Sequence, residues 1–274
     1  HGYLPLSLEA IEGAIEINGV AVEANKRAFA WGRRFAANPQ EASDILEQLR
    51  PAAVEPDTLE QIVDKRADFL KDYQDEAYAN RYREFVKQVE TAEAAIGKKR
   101  DLTNAVARNL FKLMSYKDEY EVARLYTNGE FEKQIAKTFD GDFTLNYHLA
   151  PPIFGGDKKP NGRPRKRAFG PWMLPMFRFL AKFKGLRGGP LDIFGYSGER
   201  RMERKLIDDY RDMVTGLLSR LSAENHHFAV ALARIPDDIR GFGPVKEQAV
   251  EQARKKQTEL LTQFDKPKAA ASGG

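Results

Sequence analysis

Apolar side chains recur every three or four positions along most of this chain, the pattern of helices that bury one face. Leu8, Ile11 and Ile15 form the first such stripe. Ser7 is placed to cap it, Glu9 lies in its first turn, and Asn18-Gly19 stops it. A second helix is predicted from Val20 to Phe35, closed by Gly32 and Asn38-Pro39, with Val22, Phe29 and Trp31 as its large apolar residues. Its small residues Ala21, Ala24 and Ala28, with Gly19, favour close backbone approach. A third helix starts at Asn38-Pro-Gln-Glu41, read as a capping box with proline at the first helical position, and Asp57-Thr-Leu-Glu60 repeats the device. Helical spacing then runs on to Lys98, longer than one globular helix sustains, so a break is predicted between Asp72 and Ala77. The result is an antiparallel pair. Leu59, Ile62, Val63, Phe69 and Leu70 mark the buried side of its first member, and Tyr78, Tyr82, Phe85, Val89 and Ile96 that of the second.

After a basic turn at Gly97 to Arg100, Asp101 is placed to cap a helix from Leu102 to Met114. Tyr120 to Tyr126 and Phe131 to Phe139 are helical on either side of Asn128-Gly129. At these spacings Phe111, Tyr116, Tyr120, Tyr126, Phe131 and Phe139 read as core rather than as a cofactor box. The period then changes to two: Phe143 to Leu149 alternates apolar and polar, Pro160-Asn-Gly162 signals a turn, and Arg165 to Phe169 can pair back. Two strands alone are marginal in water, so this hairpin must pack on helices or on another part of a larger protein. A helix from Trp172 to Phe183 follows, predicted to bury Trp172, Met173, Met176, Phe177 and Leu180 and to turn Arg178, Lys182 and Lys184 outward. Three more helices are predicted: Glu199 to Leu221 behind Ser197, one behind Ser222 that ends at Ile235-Pro236, and Val245 to Phe264. The expected fold class is mainly α, a multi-helix domain with one small antiparallel β-hairpin around residues 143–169.

Charge changes this picture at one place. Ten basic residues and a single acid, Asp157, lie between Gly155 and Arg187, a net of +9, whereas the rest of the chain sums to −5. Any anionic partner is therefore sought in that window. Arg163, Arg165 and Arg167 at spacing two project from one face of a strand, with Lys166 opposite, and forked guanidiniums suit phosphate or carboxylate. These four residues are the candidate anion-binding face. The competing reading is that they pair with the acidic helices of the same chain. With Phe169 and Trp172 nearby, an independent basic module binding nucleic acid or another polyanion is the alternative function.

Other chemistry finds little footing. The chain has no cysteine, which rules out disulfides, thiolate zinc and cysteine-ligated iron–sulfur clusters in this segment. His226 and His227 are adjacent, point about 100° apart on a helix, and read as half-exposed side chains. The pairs Asp208/Asp209 and Asp237/Asp238 read as solvated. Gly185 to Pro190 and Gly241 to Pro244 lack the spacing of phosphate loops, and no catalytic or metal-ligating set can be assembled. No apolar run suits a bilayer and no secretory leader opens the chain, so a cytoplasmic protein without membrane contact is expected.

Four stretches carry a resemblance. His148-Leu-Ala-Pro-Pro152, Gly162-Arg-Pro-Arg-Lys-Arg-Ala-Phe-Gly-Pro-Trp-Met173, Asp192-Ile-Phe-Gly-Tyr-Ser-Gly-Glu-Arg-Arg201 and Ile239-Arg-Gly-Phe-Gly-Pro-Val-Lys246 resemble the C-terminal domain of single-chain indolepyruvate ferredoxin oxidoreductases. Leu4 to Ile11 and Asn18 to Asn25 resemble the end of the gamma-type 2-oxoacid oxidoreductase domain that precedes it. Pro244 departs from that pattern, which has a histidine before Val-Lys. The resemblance implies a gamma-domain tail at 1–37 and a helical C-terminal domain at 38–265, and the run Lys266 to Gly274 reads as a disordered tail at 266–274. It further implies that the chain is the non-catalytic part of an enzyme that decarboxylates aryl pyruvates oxidatively to acyl-CoA. That parent would use thiamine diphosphate, magnesium, iron–sulfur clusters and CoA, none of them bound by this segment. Its implied partners are the upstream catalytic domains of the same polypeptide, a second copy in a homo-oligomer, and ferredoxin or a similar electron acceptor.

Overall fold

A computed structural model describes residues 5–49, 57–139, 141, 144–149 and 167–266. The chain divides into two compact units, His1–Pro56 and Asp57–Gly274. In the first, α1 (Leu8–Asn18) starts where Ser7 accepts a hydrogen bond from the Ala10 amide at 3.1 Å, and it ends at Gly19, whose φ of 67° is the left-handed conformation a helix stop needs. α2 (Val22–Ala37) begins two residues later than predicted and runs through Gly32. One glycine costs a helix only about 1 kcal/mol relative to alanine, too little to stop one before Asn38. α3 (Pro39–Leu49) starts at Asn38, whose Oδ1 accepts from the Glu41 amide at 3.2 Å. No residue of α1 or α2 is buried, and Ile17, Trp31 and Phe35 are exposed.

The second unit opens with α4 (Leu59–Tyr73) and α5 (Glu76–Ile96), split at Gln74-Asp75 inside the predicted break. Thr58 rather than Asp57 caps α4, in a reciprocal box with Gln61. Asp75 caps α5, accepting from the Tyr78 amide at 2.7 Å. Ion pairs Lys71–Glu76 and Arg83–Asp68 bridge the two helices as antiparallel neighbours. α6 (Asp101–Met114) lies against both. Its carbonyls are closed by phenols from the pair: Tyr82 donates to Ala107 O, Tyr78 to Met114 O, and Tyr73 to Tyr116 O just beyond the helix. α10 (Gly198–Leu218), α11 (His226–Ala233) and α12 (Pro244–Phe264) complete this core with Leu206, Val214, Leu217, Leu232 and Val250. Each large aliphatic side chain removed from water this way contributes about 1.5–3 kcal/mol. α11 starts four residues after the predicted cap Ser222, because Ser222 and Asn225 first close a turn on each other.

A smaller core sits beside the first. It is built by α7 (Glu119–Thr127), strands β1 (Tyr147–Leu149) and β2 (Arg167–Phe169), and α9 (Met173–Ala181), while α8 (Glu130–Thr138) sets Phe131 edge-on to Tyr126 of α7. The strands pair antiparallel with Tyr147 opposite Phe169 and Leu149 opposite Arg167. The chain is thus mainly helical, with one small two-stranded sheet among the described residues. Tyr147 stands edge-on to Tyr126 and Phe177, at ring distances of 5.1 and 5.3 Å, so the hairpin does pack on helices. Phe143 and the turn at Pro160-Asn-Gly162 lie outside the described residues. Phe139, predicted as core, is 56% exposed at the end of α8.

Candidate functional site

Of the candidate anion face, Arg163, Arg165 and Lys166 lie outside the described residues. Arg167 is described: it is the first residue of β2 and is exposed. In the segment that follows, Arg187 and Asp192 are buried while Arg178, Lys182 and Arg201 are exposed.

Arg187 is the centre of this arrangement, with its side chain only 2% exposed. Its guanidinium donates from Nε to Asp118 Oδ2 at 2.5 Å and from Nη2 to Asp118 Oδ1 at 2.9 Å, a two-pronged pair, while Nη1 donates to Tyr73 O at 2.5 Å. Its guanidinium carbon lies over the Tyr73 ring, 3.6 Å from the centroid. Burial works against its charge, but the Asp118 carboxylate outweighs burial and raises its pKa further. Burial, with the Asp118 charge, likewise pushes the Tyr73 phenol up. Asp118 also caps α7 through the Glu121 amide, so one carboxylate fixes the end of α4, the start of α7 and the loop after α9. Nearby, Lys184 donates to Asp72 O at 2.6 Å, a cation at the C-terminus of α4.

The stretch Asp192 to Arg201 forms a second knot. Asp192 accepts from the amides of Gly188 (2.8 Å) and Gly195 (3.0 Å), and Arg204 Nη2 donates to Gly195 O at 2.6 Å. A Cβ on Gly195 would lie 2.4 Å from Asp192 Oδ2, so only glycine fits there. Ser197 caps α10 as predicted, accepting from the Arg200 amide. Buried Glu203 binds Arg200 with one oxygen and Lys246 with the other, tying α10 to the start of α12.

Glu93 and His226 form a third buried group, missed by the sequence reading. Glu93 is 1% exposed on α5 and accepts from the amides of Leu102 and Thr103, both at 2.8 Å, and from Thr103 Oγ1 at 2.6 Å. It therefore takes the capping role predicted for Asp101, which lies inside α6 at its first position. His226 Nε2 lies 2.6 Å from Glu93 Oε1, and His226 is buried rather than half-exposed, while His227 is exposed. The acids Asp208, Asp237 and Asp238 are exposed.

Facing outward is a row of large apolar side chains on α9 and its extension. Trp172, Met176, Phe179 and Phe183 are 57, 49, 60 and 38% exposed and recur at helical spacing. Only Met173 and Phe177 of this helix are buried, so the expected burial of Trp172 and Met176 is corrected. The side that packs on α7 and β1 is the other one. The exposed Arg178 and Lys182 accompany the row, and no acid occurs between Arg167 and Leu191.

Residues 59–259, from α4 into α12, match a family of unknown function, DUF6537. The chain belongs to the DUF6537 family. That match takes in all three buried ionic groups and the α9 row, so these are features of the DUF6537 portion of the chain. No curated protein and no solved structure matches the chain.

Proposed function

We propose that this DUF6537 domain is the non-catalytic C-terminal part of a thiamine diphosphate-dependent aryl-pyruvate ferredoxin oxidoreductase, where it serves as a helical support for the catalytic domains. The reading rests on the four sequence stretches that resemble that family. The observation that carries the supporting role is the division of labour in residues 167–201. The charges Arg187, Asp192 and Arg200 hold elements of the domain together. The apolar row Trp172, Met176, Phe179 and Phe183 is left facing out. Such a row is unfavourable in water and favourable under another protein surface. With no cysteine in the chain, the iron–sulfur groups of such an enzyme belong to the remainder of the polypeptide, as does the thiamine diphosphate.

The test uses the natural polypeptide that contains this chain, purified whole. Aryl-pyruvate-dependent, CoA-dependent reduction of ferredoxin is expected. In that polypeptide Trp172→Ser/Phe179→Ser should lower activity and open the domain boundary to protease while leaving far-UV circular dichroism unchanged. No aryl-pyruvate oxidation by the intact polypeptide would overturn the reading.

A further inference from the structure

A cleft of about 210 Å³ opens between α5 and α10. That is below the size of pockets that enclose a drug-sized ligand, about 300–1,000 Å³, and suits a small ion or one end of a longer molecule. Tyr78 and Arg81 line it from α5, three positions apart; Arg204, Asp208 and Arg211 line it from α10 at spacings of four and seven, which puts them on one helical face. Tyr116 adds a second aromatic wall.

The arginines here are not all matched. Arg187, at the inner end, has Asp118 as its counter-charge. Arg204 has Asp192 at 3.8 Å, too far for a hydrogen bond, and its buried Nη1 has no hydrogen-bond partner. Arg211 lies over the Phe85 ring, makes no ion pair among the described residues, and its buried Nε also has no hydrogen-bond partner. Arg81 lies over the Tyr78 ring at 4.8 Å and likewise makes no ion pair among the described residues. Against these stands one lining carboxylate, Asp208, which is exposed. Buried donors without acceptors are rare in folded proteins and call for an acceptor. Three guanidiniums lining one cleft from two helices suit an anion with several oxygens around one centre better than a flat carboxylate.

We propose that this cleft binds a phosphoryl group through Arg81, Arg204 and Arg211, either as free phosphate or as the phosphoryl end of a larger molecule. Tyr78 and Tyr116, each 7% exposed, would flank the phosphoryl group without stacking on what it carries. The site is independent of the parent enzyme proposed above, since it needs only residues of this domain.

Inorganic phosphate and AMP are the probes, titrated into the full chain by calorimetry against chloride at equal ionic strength. Phosphate should bind saturably. Arg81→Gln/Arg211→Gln should weaken it by about tenfold or more, the usual effect of losing charged hydrogen bonds. Asp208→Asn, at an exposed position, should tighten it. AMP binding more tightly than phosphate assigns the site to a phosphoryl group carried on a larger molecule; weaker AMP binding assigns it to the free ion. No phosphate binding beyond the chloride control overturns the proposal, as does full affinity in a folded double variant. Should the double variant misfold, Asp208→Asn decides alone, and unchanged affinity there counts against the site.

Discussion

Replacing Glu93 by glutamine keeps the shape of the side chain and removes its charge. The carboxylate now accepts from the Leu102 and Thr103 amides and the Thr103 hydroxyl, and meets His226 Nε2 at 2.6 Å. Glutamine offers one acceptor oxygen and turns an NH2 group toward the remaining donors. At least two buried hydrogen bonds to a charge are lost, each worth about 1.5–3 kcal/mol, and so is the attraction between a carboxylate and a helix N-terminus, up to about 2 kcal/mol where partly buried. These terms overlap, so a total of about 3–4 kcal/mol is expected. For a unit of this size that corresponds to a fall in Tm of about 6–16 °C. Urea unfolding followed by far-UV circular dichroism measures the energy, and hydrogen exchange at the Leu102 and Thr103 amides locates it. Thr103→Val, which replaces the hydroxyl by a methyl group and removes one hydrogen bond to the carboxylate, should cost about 1.5–3 kcal/mol. A Glu93→Gln loss below about 1 kcal/mol, with both amides still protected, would refute the assignment of Glu93 as the cap of α6.

The same carboxylate sets an acid limit. Burial alone would raise its pKa, but hydrogen bonds from Thr103, His226 and the backbone outweigh burial and hold it below the ordinary value of 4.5. Its contribution is therefore complete above that value and disappears as pH falls through the lower folded pKa; the gap between wild-type and Glu93→Gln urea midpoints should be constant near neutrality and close in acid. Arg187→Met leaves Asp118 buried without its counter-charge and Tyr73 O without a donor, a loss of about 3–5 kcal/mol measurable by urea unfolding. Adding Asp118→Leu should recover part of it but not all, since Asp118 also caps α7. Gly195→Ala forces a Cβ against Asp192 and Arg204 and should cost about 1–3 kcal/mol, read as a lower Tm.

What the sequence disclosed was local. Helical spacing located each helix, and Ser7, Asn38 and Ser197 lie within four residues of the amides they cap. Glu93 could not be found that way, because one of its partners lies 133 residues on and nothing in a solvated-looking helical run marks a buried acid. A signal did exist: Arg100, the residue at the cap position of α6, has no side chain able to accept, so the first amides of a buried helix needed an acceptor from elsewhere. Arg187 was counted as one cation in a basic window, although its partner lies 69 residues back in the chain. The α9 error has a different cause. Helical periodicity identifies apolar stripes, and this helix has two: Met173 and Phe177 with Leu180 on one side, Trp172, Met176, Phe179 and Phe183 on the other. Periodicity does not say which stripe a domain buries in itself. Tyr126 and Tyr147 decide that here, by packing on Phe177 and leaving the second stripe outside. A helix apolar on both sides, with only one of them covered, has the composition of a buried helix in a larger assembly. The exposed row is thus apolar surface that the domain does not cover with its own residues.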